Sequence, residues 1–269
     1  MSLRTAILAA SCLSSIAFGQ TVDGSSYNKP SGGPPASFFA AASTINVGAV
    51  KTAVAHATGV PKKAVYDVNG ASTKVTIHDD YMTKPTGAAI VYVSNMNVDC
   101  DGIDYKCKGN PDGQSDTDNG ELAAYEVPWV VIPENFQKAY PDILPGNNVA
   151  AVICNDKMFY GIYGDSDGDT PEDIGEASWL MARTCFPDED LNGNSGHDAL
   201  DVTYIVFVGK DSILPDSAVN SKYITDFTKL RSMGNKLMTA FESNIDNKTS
   251  KSNVFDPKKR GTLPVPFQG

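Results

Sequence analysis

Residues 159–184 read FYGIYGDSDGDTPEDIGEASWLMART. The run opens with the aromatic and β-branched residues that are typical of a strand, and then reaches three carboxylates at alternate positions, Asp165, Asp167 and Asp169. Glu176 follows, and the apolar residues after it repeat with helical spacing. The stretch therefore predicts a strand, an acidic loop and a helix that begins near Glu176. Rigid elements on both sides of a loop favour a functional site there.

Similar β-branched and aromatic runs predict strands elsewhere in the chain. They lie at 64–68, 74–77, 89–93, 127–132, 149–154 and 201–208. Helical periodicity predicts helices within 41–58 and 222–244. Strands and helices do not alternate regularly, so a doubly wound parallel sheet is disfavoured. The pattern indicates a mainly β single domain with a few helices, either a small barrel or a sandwich.

The two ends of the chain differ in composition from its centre. Residues 1–19 carry one positive charge, an apolar centre and small residues near their end, which predicts a secretory signal peptide. Residues 20–40 are rich in Gly, Ser and Pro and predict a disordered or loosely attached leader. A single domain is expected over 41–246, followed by a polar tail over 247–269. Asn247 begins a glycosylation sequon.

Four cysteines remain once the predicted signal peptide is removed: Cys100, Cys107, Cys154 and Cys185. An even number in an exported protein predicts two disulfides. Three pairings are possible, and we favour Cys100–Cys107 with Cys154–Cys185. A zinc site is disfavoured because the spacing contains no CxxC pair and no histidine lies nearby. The protein is therefore expected to be secreted and extracellular.

The formal net charge is −10. Nucleic acids and anionic membranes require basic patches, so neither is expected as a partner. A cationic substrate would suit the acidity, although ordinary solubility accounts for the composition equally well.

The acidic loop has two interpretations. Counted from Asp165, acids occupy positions 1, 3, 5 and 12, which is the ligand spacing of an EF-hand calcium loop. However, position 6 requires glycine and is Thr170, Pro171 follows it, and a strand rather than a helix precedes the loop. A calcium-stabilised carbohydrate-binding module without catalysis remains the alternative interpretation.

The catalytic interpretation needs one protonated and one ionised carboxyl group on either side of a scissile bond, as in glycoside hydrolysis. Neighbouring acids raise the pKa of Asp165, whereas a helix start would favour the anion of Glu176. This favours Asp165 as the acid and Glu176 as the base.

Several segments resemble the fungal secreted chitosanases of glycoside hydrolase family 75. They are 99–102 (DCDG), 124–128 (AYEVP), 161–165 (GIYGD), 175–178 (GEAS), 196–197 (GH) and 201–205 (DVTYI). The resemblance extends over roughly residues 40 to 240, in the same order. It implies endo-acting, inverting hydrolysis of β-1,4 glucosamine linkages in chitosan, with Asp165 and Glu176 as the essential pair. It also implies a small six-stranded barrel similar to double-psi barrels, with helical decorations.

A chitosan substrate suggests candidate contacts. Four acidic side chains are candidates for pairing with its ammonium groups, or equally for a solvated loop: Asp99, Asp101, Asp104 and Glu126. Three aromatic side chains are candidates for stacking on sugar faces or for the core: Tyr125, Trp129 and Tyr163. For His197 we favour a structural role. We expect a monomer that needs no cofactor or metal, and hydrolysis of another polysaccharide such as β-glucan or chitin is a third possibility.

Overall fold

The structure, a computed structural model, describes residues 21–68 and 71–252. Within these ranges the chain forms five α-helices and nine β-strands. The helices are α1 (Gly24–Tyr27), α2 (Val47–Ala55), α3 (Glu134–Ala139), α4 (Trp179–Cys185) and α5 (Phe227–Ser252). The strands are β1 (Val65–Val68), β2 (Ala71–Thr76), β3 (His78–Tyr81), β4 (Ala89–Asp99), β5 (Trp129–Pro133), β6 (Val149–Cys154), β7 (Lys157–Asp167), β8 (Glu176–Ser178) and β9 (His197–Phe207).

Six strands close into a barrel. Their order is β4, β8, β5, β7, β6 and β9, and β9 returns to pair antiparallel with β4. The β4–β8 and β5–β7 pairs are parallel. β3 adds to β4 as an extra strand, and β1 with β2 forms a separate hairpin. Because the sheet closes on itself, the sandwich is excluded, and the predicted mainly β, six-stranded barrel with helical decorations is confirmed.

Aromatic rings fill part of the interior of the fold. Tyr92 on β4 and Tyr204 on β9 are fully buried, and their rings stack with centroids 4.6 Å apart. The hydroxyl of Tyr204 donates a 2.7 Å hydrogen bond to the carbonyl oxygen of Asn95. Stacked, buried rings combine a large apolar area with a fixed geometry, so this pair stabilises the β4–β9 closure of the barrel.

Helix α5 covers β6 and β7 on the outside of the barrel. Every residue of β6 is buried, which explains its uninterrupted apolar sequence. Gly234 allows the close approach of the helix, because a Cβ there would come within 2.4 Å of the Tyr160 ring. None of the helices in the described ranges combines the length and the apolar character needed to cross a bilayer.

The leader packs against the domain, so the prediction of loose attachment is wrong for residues 21–40. The backbone N–H of Val22 donates to the carbonyl oxygen of Thr225 at 3.0 Å, and Phe39 is completely buried. Trp179 Nε1 also donates to the Pro30 carbonyl oxygen at 3.0 Å. The composition is that of a disordered segment, but a few apolar anchors and backbone hydrogen bonds hold it in place.

The predicted signal peptide, 1–19, lies outside the described residues. Helix α5 continues to Ser252, well past the start of the predicted tail. Residues 253–269 and the side chain of Asn247 are likewise outside the described part, so the tail and the glycosylation site stay predictions.

Both favoured disulfides are present. Cys100–Cys107 closes a short loop immediately after β4, with the two Cα atoms 6.3 Å apart. Cys154–Cys185 joins the end of β6 to the end of α4, with the Cα atoms 5.5 Å apart. The first crosslink anchors the loop that carries the candidate acidic residues.

Candidate active site

Asp165 lies near the end of β7, where its exposed fraction is 7%. A register shift between Val130 and Val131 marks a bulge and places Asp165 opposite Val131 of β5. One carboxylate oxygen of Asp165 accepts the backbone N–H groups of Asp118, at 3.0 Å, and of Ser166, at 2.8 Å. Burial, followed by the charge of Asp99, raises the pKa of Asp165 above its ordinary value.

Glu176 is the first residue of β8, which fits between β4 and β5. It is the parallel partner of Asn97, and Ala177 is the antiparallel partner of Val130. The prediction of a helix start at Glu176 is wrong, because α4 begins at Trp179. The argument that a helix terminus favours the Glu176 anion therefore fails.

Ser178 explains where β8 ends and α4 begins. Its Oγ accepts the backbone N–H of Met181 at 3.2 Å and so caps the helix. The same Oγ accepts the backbone N–H of Trp129 at 3.1 Å. One hydroxyl group thus joins the helix cap to strand β5, which fixes the position of β8 and of Glu176 on it.

The two carboxylates lie on either side of β5. Asp165 on β7 is the partner of Val131 on β5. On the other edge of β5, Glu176 immediately precedes Ala177, the antiparallel partner of Val130. Neighbouring strands are about 4.8 Å apart, so the backbones at the two acids are separated by roughly 10 Å. The two acids are therefore separated by the width of one intervening strand.

The environment of Glu176 disfavours its anion. Burial raises its pKa well above the ordinary value, and the charges of Asp99, Asp167, Asp173 and Asp165 act in the same direction. Among the described residues no group donates a hydrogen bond to the Glu176 carboxyl group. Asp165, by contrast, receives two backbone N–H groups that favour its charged form.

Asp99 and Asp101 extend the acidic cluster. Carboxylate oxygens of Asp99, Asp101 and Asp165 lie within 4.8 Å of one another. Asp99 accepts Trp129 Nε1 at 2.7 Å and the backbone N–H of Asp101 at 2.8 Å. Burial and the charge of Asp99 raise the pKa of Asp101 to about 6. These three groups are the described residues best placed to hold a cation, although neighbouring acids can also share protons without one.

The predicted EF-hand spacing does not form a calcium loop. Asp165 and Asp167 both lie in β7, so the first part of the acidic stretch is a strand. The carboxylate of Asp167 accepts backbone N–H groups within its own loop, from Asp169 at 2.8 Å and, in a short contact, from Asp173. Asp167 therefore organises the 168–173 turn.

Asp104 and Glu126, the other two acidic side chains that were predicted to contact the substrate, accept hydrogen bonds from groups of the protein itself. Asp104 is partly buried and accepts Asn28 Nδ2 at 3.1 Å and the backbone N–H of Tyr125 at 3.3 Å, so it fastens the leader. Glu126 is completely buried and accepts the backbone N–H of Ile224 at 3.0 Å. Burial raises the pKa of Glu126 to about 8. Its position is therefore that of a neutral core carboxyl group instead of a partner for a substrate cation.

The three candidate aromatic residues are also buried. Tyr125 is 8% exposed, with its ring against the Trp179 ring, and Tyr163 is 1% exposed. Trp129 is fully buried, with its indole N–H directed at Asp99. None of these rings presents an open face to solvent for a sugar.

His197 has the structural role that the sequence favours. Its Nδ1 is 2.8 Å from Glu189 Oε1 and its Nε2 is 3.0 Å from Asp201 Oδ1. Its ring stacks on Phe186, with centroids 3.7 Å apart. Because it joins the 186–196 loop to the start of β9, His197 fixes that loop beside the barrel.

Sequence reasoning missed two contributors to the site. Asp118 directs its backbone N–H at Asp165, and its carboxylate accepts the Ser166 hydroxyl in a short contact. Tyr92 lies inside the barrel, where its pKa is raised by burial and then by the charge of Glu176. The Asp118 contact joins a loop to a strand distant in sequence, and the position of Tyr92 depends on long-range strand pairing, so no local pattern signals either.

Glycoside hydrolases commonly use two carboxyl groups on either side of the scissile bond, and this barrel carries two on the strands that flank β5. The comparison with protein families agrees: the model described as fungal chitosanase of glycosyl hydrolase group 75 matches residues 96–240, a range that contains both acids. The chain belongs to this family of glycoside hydrolases.

Curated relatives support the assignment. The chain is 58% identical over 230 residues to endo-chitosanase C of Aspergillus oryzae, covering 86% of this chain and 60% of the relative. It is 37% identical to endo-chitosanase B of the same species, over 56% of this chain and 69% of the relative. An endo-chitosanase of Aspergillus fumigatus is 34% identical, with 56% and 70% covered. The chain thus spans about 60% of the length of the C-type relative.

Proposed function

We propose that the protein is a secreted, endo-acting chitosanase that hydrolyses β-1,4 glucosamine linkages with inversion. The observation that carries the proposal is the position of Asp165 and Glu176 on the two strands that flank β5. Family membership and the endo-chitosanase names of the relatives support chitosan as the substrate.

The hydrogen bonds favour Glu176 as the general acid and Asp165 as the general base. Glu176 has no donor among the described residues and several acidic neighbours, so it holds its proton. It gives this proton to the glycosidic oxygen as the bond to the anomeric carbon breaks. Burial and the charge of Asp99 also raise the pKa of Asp165, but two backbone donors favour its anion, so Asp165 is the more readily ionised of the pair. It accepts a proton from the water that attacks the opposite face of the sugar.

Membership of the family supports inversion. Inverting enzymes hold the two carboxyl groups about 6.5–9.5 Å apart so that the attacking water fits, whereas retaining enzymes hold them about 5–5.5 Å apart. Strands on either side of β5 can hold the wider separation, because each strand spacing is about 4.8 Å. After one turnover Glu176 is ionised and Asp165 protonated, and exchange with solvent restores both.

Electrostatics support a cationic polymer as the substrate. Asp99 and Asp101 lie beside Asp165, and the whole chain carries a formal charge of −10. A negative site attracts a polycation and raises its encounter rate, an effect that salt screens.

Site-directed variants test the assignment. Asp165→Asn and Glu176→Gln should each lower kcat on soluble chitosan by about 100-fold or more, because each removes one proton-transfer group. Asp169→Asn is the matched control, since it removes an exposed charge from the same loop and should leave kcat within about twofold of wild type. Near-normal turnover by either active-site variant would refute the catalytic pair.

Time-resolved NMR of the first products tests the stereochemistry. Inversion predicts that the α-anomer appears first from the β-linked polymer. If the β-anomer appears first, the enzyme is retaining and the base becomes a nucleophile. Release of no reducing ends, together with a large fall in Tm on adding a chelator, would instead support the calcium-stabilised binding module.

The proposal also includes export of the protein from the cell and a monomeric state. Two disulfides suit an oxidising compartment. Protein secreted by an expression host should begin at or near Gln20 by mass spectrometry, and light scattering should give the mass of a monomer.

A further inference from the structure

A groove lies far from the two catalytic carboxylates. It runs between helix α5 and the turn that joins β3 to β4, and it encloses about 850 Å³. Ala88, immediately before β4, lines the groove, whereas Asp99 ends the same strand at the acidic cluster. A strand of eleven residues is roughly 35 Å long, so the two features lie at opposite ends of the barrel.

The charge of the groove is opposite to that of the chain. Four lysines line it, Lys84, Lys210, Lys229 and Lys236, with Asp211 as the one acidic residue among the lining positions. None of these lysines forms an ion pair with a residue that the structure describes. In a protein with a net charge of −10, four unpaired cations in one concave surface favour an anionic ligand.

Apolar side chains form much of the remaining lining. Five partly buried hydrophobic residues that pack on the core face this groove: Met82, Ala88, Ile143, Met233 and Leu237. No aromatic side chain is among the described lining residues. Sugar sites commonly use aromatic faces, whereas flexible methionines suit peptide side chains. The ligand should therefore be both anionic and aliphatic.

We propose that the groove binds an acidic, aliphatic peptide segment of another protein. Lys229 and Lys236 are separated by seven residues, nearly two turns of α5, so they lie on one face about 10 Å apart along the axis. A peptide in the polyproline II conformation repeats every three residues with a rise of about 9 Å. Carboxylates at every third position can then meet both lysines while the residues between them contact the methionines.

Fluorescence anisotropy with a labelled peptide of repeated Glu-Leu-Pro triplets tests the proposal, and Gln-Leu-Pro repeats serve as the matched peptide. The acidic peptide should bind, and the neutral one should bind at least about 10-fold more weakly. The double variant Lys229→Glu with Lys236→Glu should weaken binding by about 10-fold or more. Binding should also weaken as ionic strength rises.

A control double variant, Lys62→Glu with Lys157→Glu, makes the same change in net charge at exposed positions outside the groove. It should change binding by less than about threefold. Hydrolysis of chitosan should be unchanged in both double variants, which shows that they are folded. Equal binding of both peptides, or equal loss in the two double variants, would overturn the proposal. So would binding of an oligogalacturonate in place of the peptide, or self-association that the groove variant abolishes.

Discussion

The indole Nε1 of Trp129 donates a 2.7 Å hydrogen bond to Oδ2 of Asp99. Trp129 is fully buried on β5, and Asp99 ends β4, with a carboxylate oxygen within 4.8 Å of one from Asp165. The core of the barrel therefore fixes a carboxylate that raises the pKa of both Asp165 and Glu176. Asp99 can therefore affect hydrolysis through the pKa values of Asp165 and Glu176.

Replacing Asp99 should shift the pH dependence of hydrolysis. Asp99→Asn removes one negative charge, so the pKa values of Asp165 and Glu176 should both fall. Both limbs of the bell-shaped profile of kcat/KM should then move to lower pH, by about one unit. Asp116→Asn, an exposed change, is the control and should leave the profile in place. A lower rate with unmoved limbs would mean that Asp99 has a merely structural role.

The Trp129–Asp99 hydrogen bond should show energetic coupling. Trp129→Phe leaves a partly buried carboxylate without its indole donor, which should cost about 1–3 kcal/mol of unfolding free energy. In a double-mutant cycle with Asp99→Ala, which removes the acceptor, the two losses should fall short of additivity by about 1 kcal/mol. Urea denaturation measures each value, and additive losses would show that the hydrogen bond contributes nothing beyond the packing of the ring.

His197 should make stability depend on pH. Its hydrogen bonds to Glu189 and Asp201 favour the imidazolium, so its pKa in the folded protein is raised above the ordinary value despite partial burial. This contribution is fully present below the unfolded pKa and is lost as pH rises through the folded pKa. His197→Gln should therefore cost roughly 1 kcal/mol at pH about 5 and less at pH about 8. Denaturant midpoints at the two values measure the difference. A constant difference between the variant and wild type would contradict the ionic contribution.

Gly175 should be essential for the position of Glu176. Its φ is +103°, and a Cβ there would come within 2.2 Å of Asn95 Oδ1. Gly175→Ala should lower the unfolding free energy by about 2–4 kcal/mol and reduce kcat as well. Gly209→Ala is a matched control, because φ there is +86° but no atom lies within 4 Å of the added Cβ. It should cost only about 1 kcal/mol and leave kcat unchanged. Equal effects of the two substitutions would exclude the steric argument.

The sequence predicts those parts of the fold that depend on local patterns. Residues 159–163 and 201–208 read as strands because β-branched and aromatic side chains repeat there, and both form barrel strands. Strand β8 has three residues and forms through pairing with β4 and β5, which are distant in sequence. Local periodicity therefore assigned Glu176 to the following helix.

The candidate site also has features that local sequence patterns predict and features that depend on long-range contacts. Asp165 and Glu176 could be selected because glycines and apolar runs surround them in the sequence. The burial of Glu126 and Tyr163, and the contact of Asp118 with Asp165, depend on which side of the closed barrel each residue faces. Residue type alone carries no such information.

The pairing of β8 has a consequence for how the protein acquires its activity. This short strand lies between β4 and β5 in the barrel and also carries Glu176, so closure of the sheet and placement of the proposed proton donor require the same strand. A partly folded chain in which β8 is unpaired would have neither a closed sheet nor the proposed proton donor in place. Recovery of hydrolysis during refolding would consequently report on completion of the native topology.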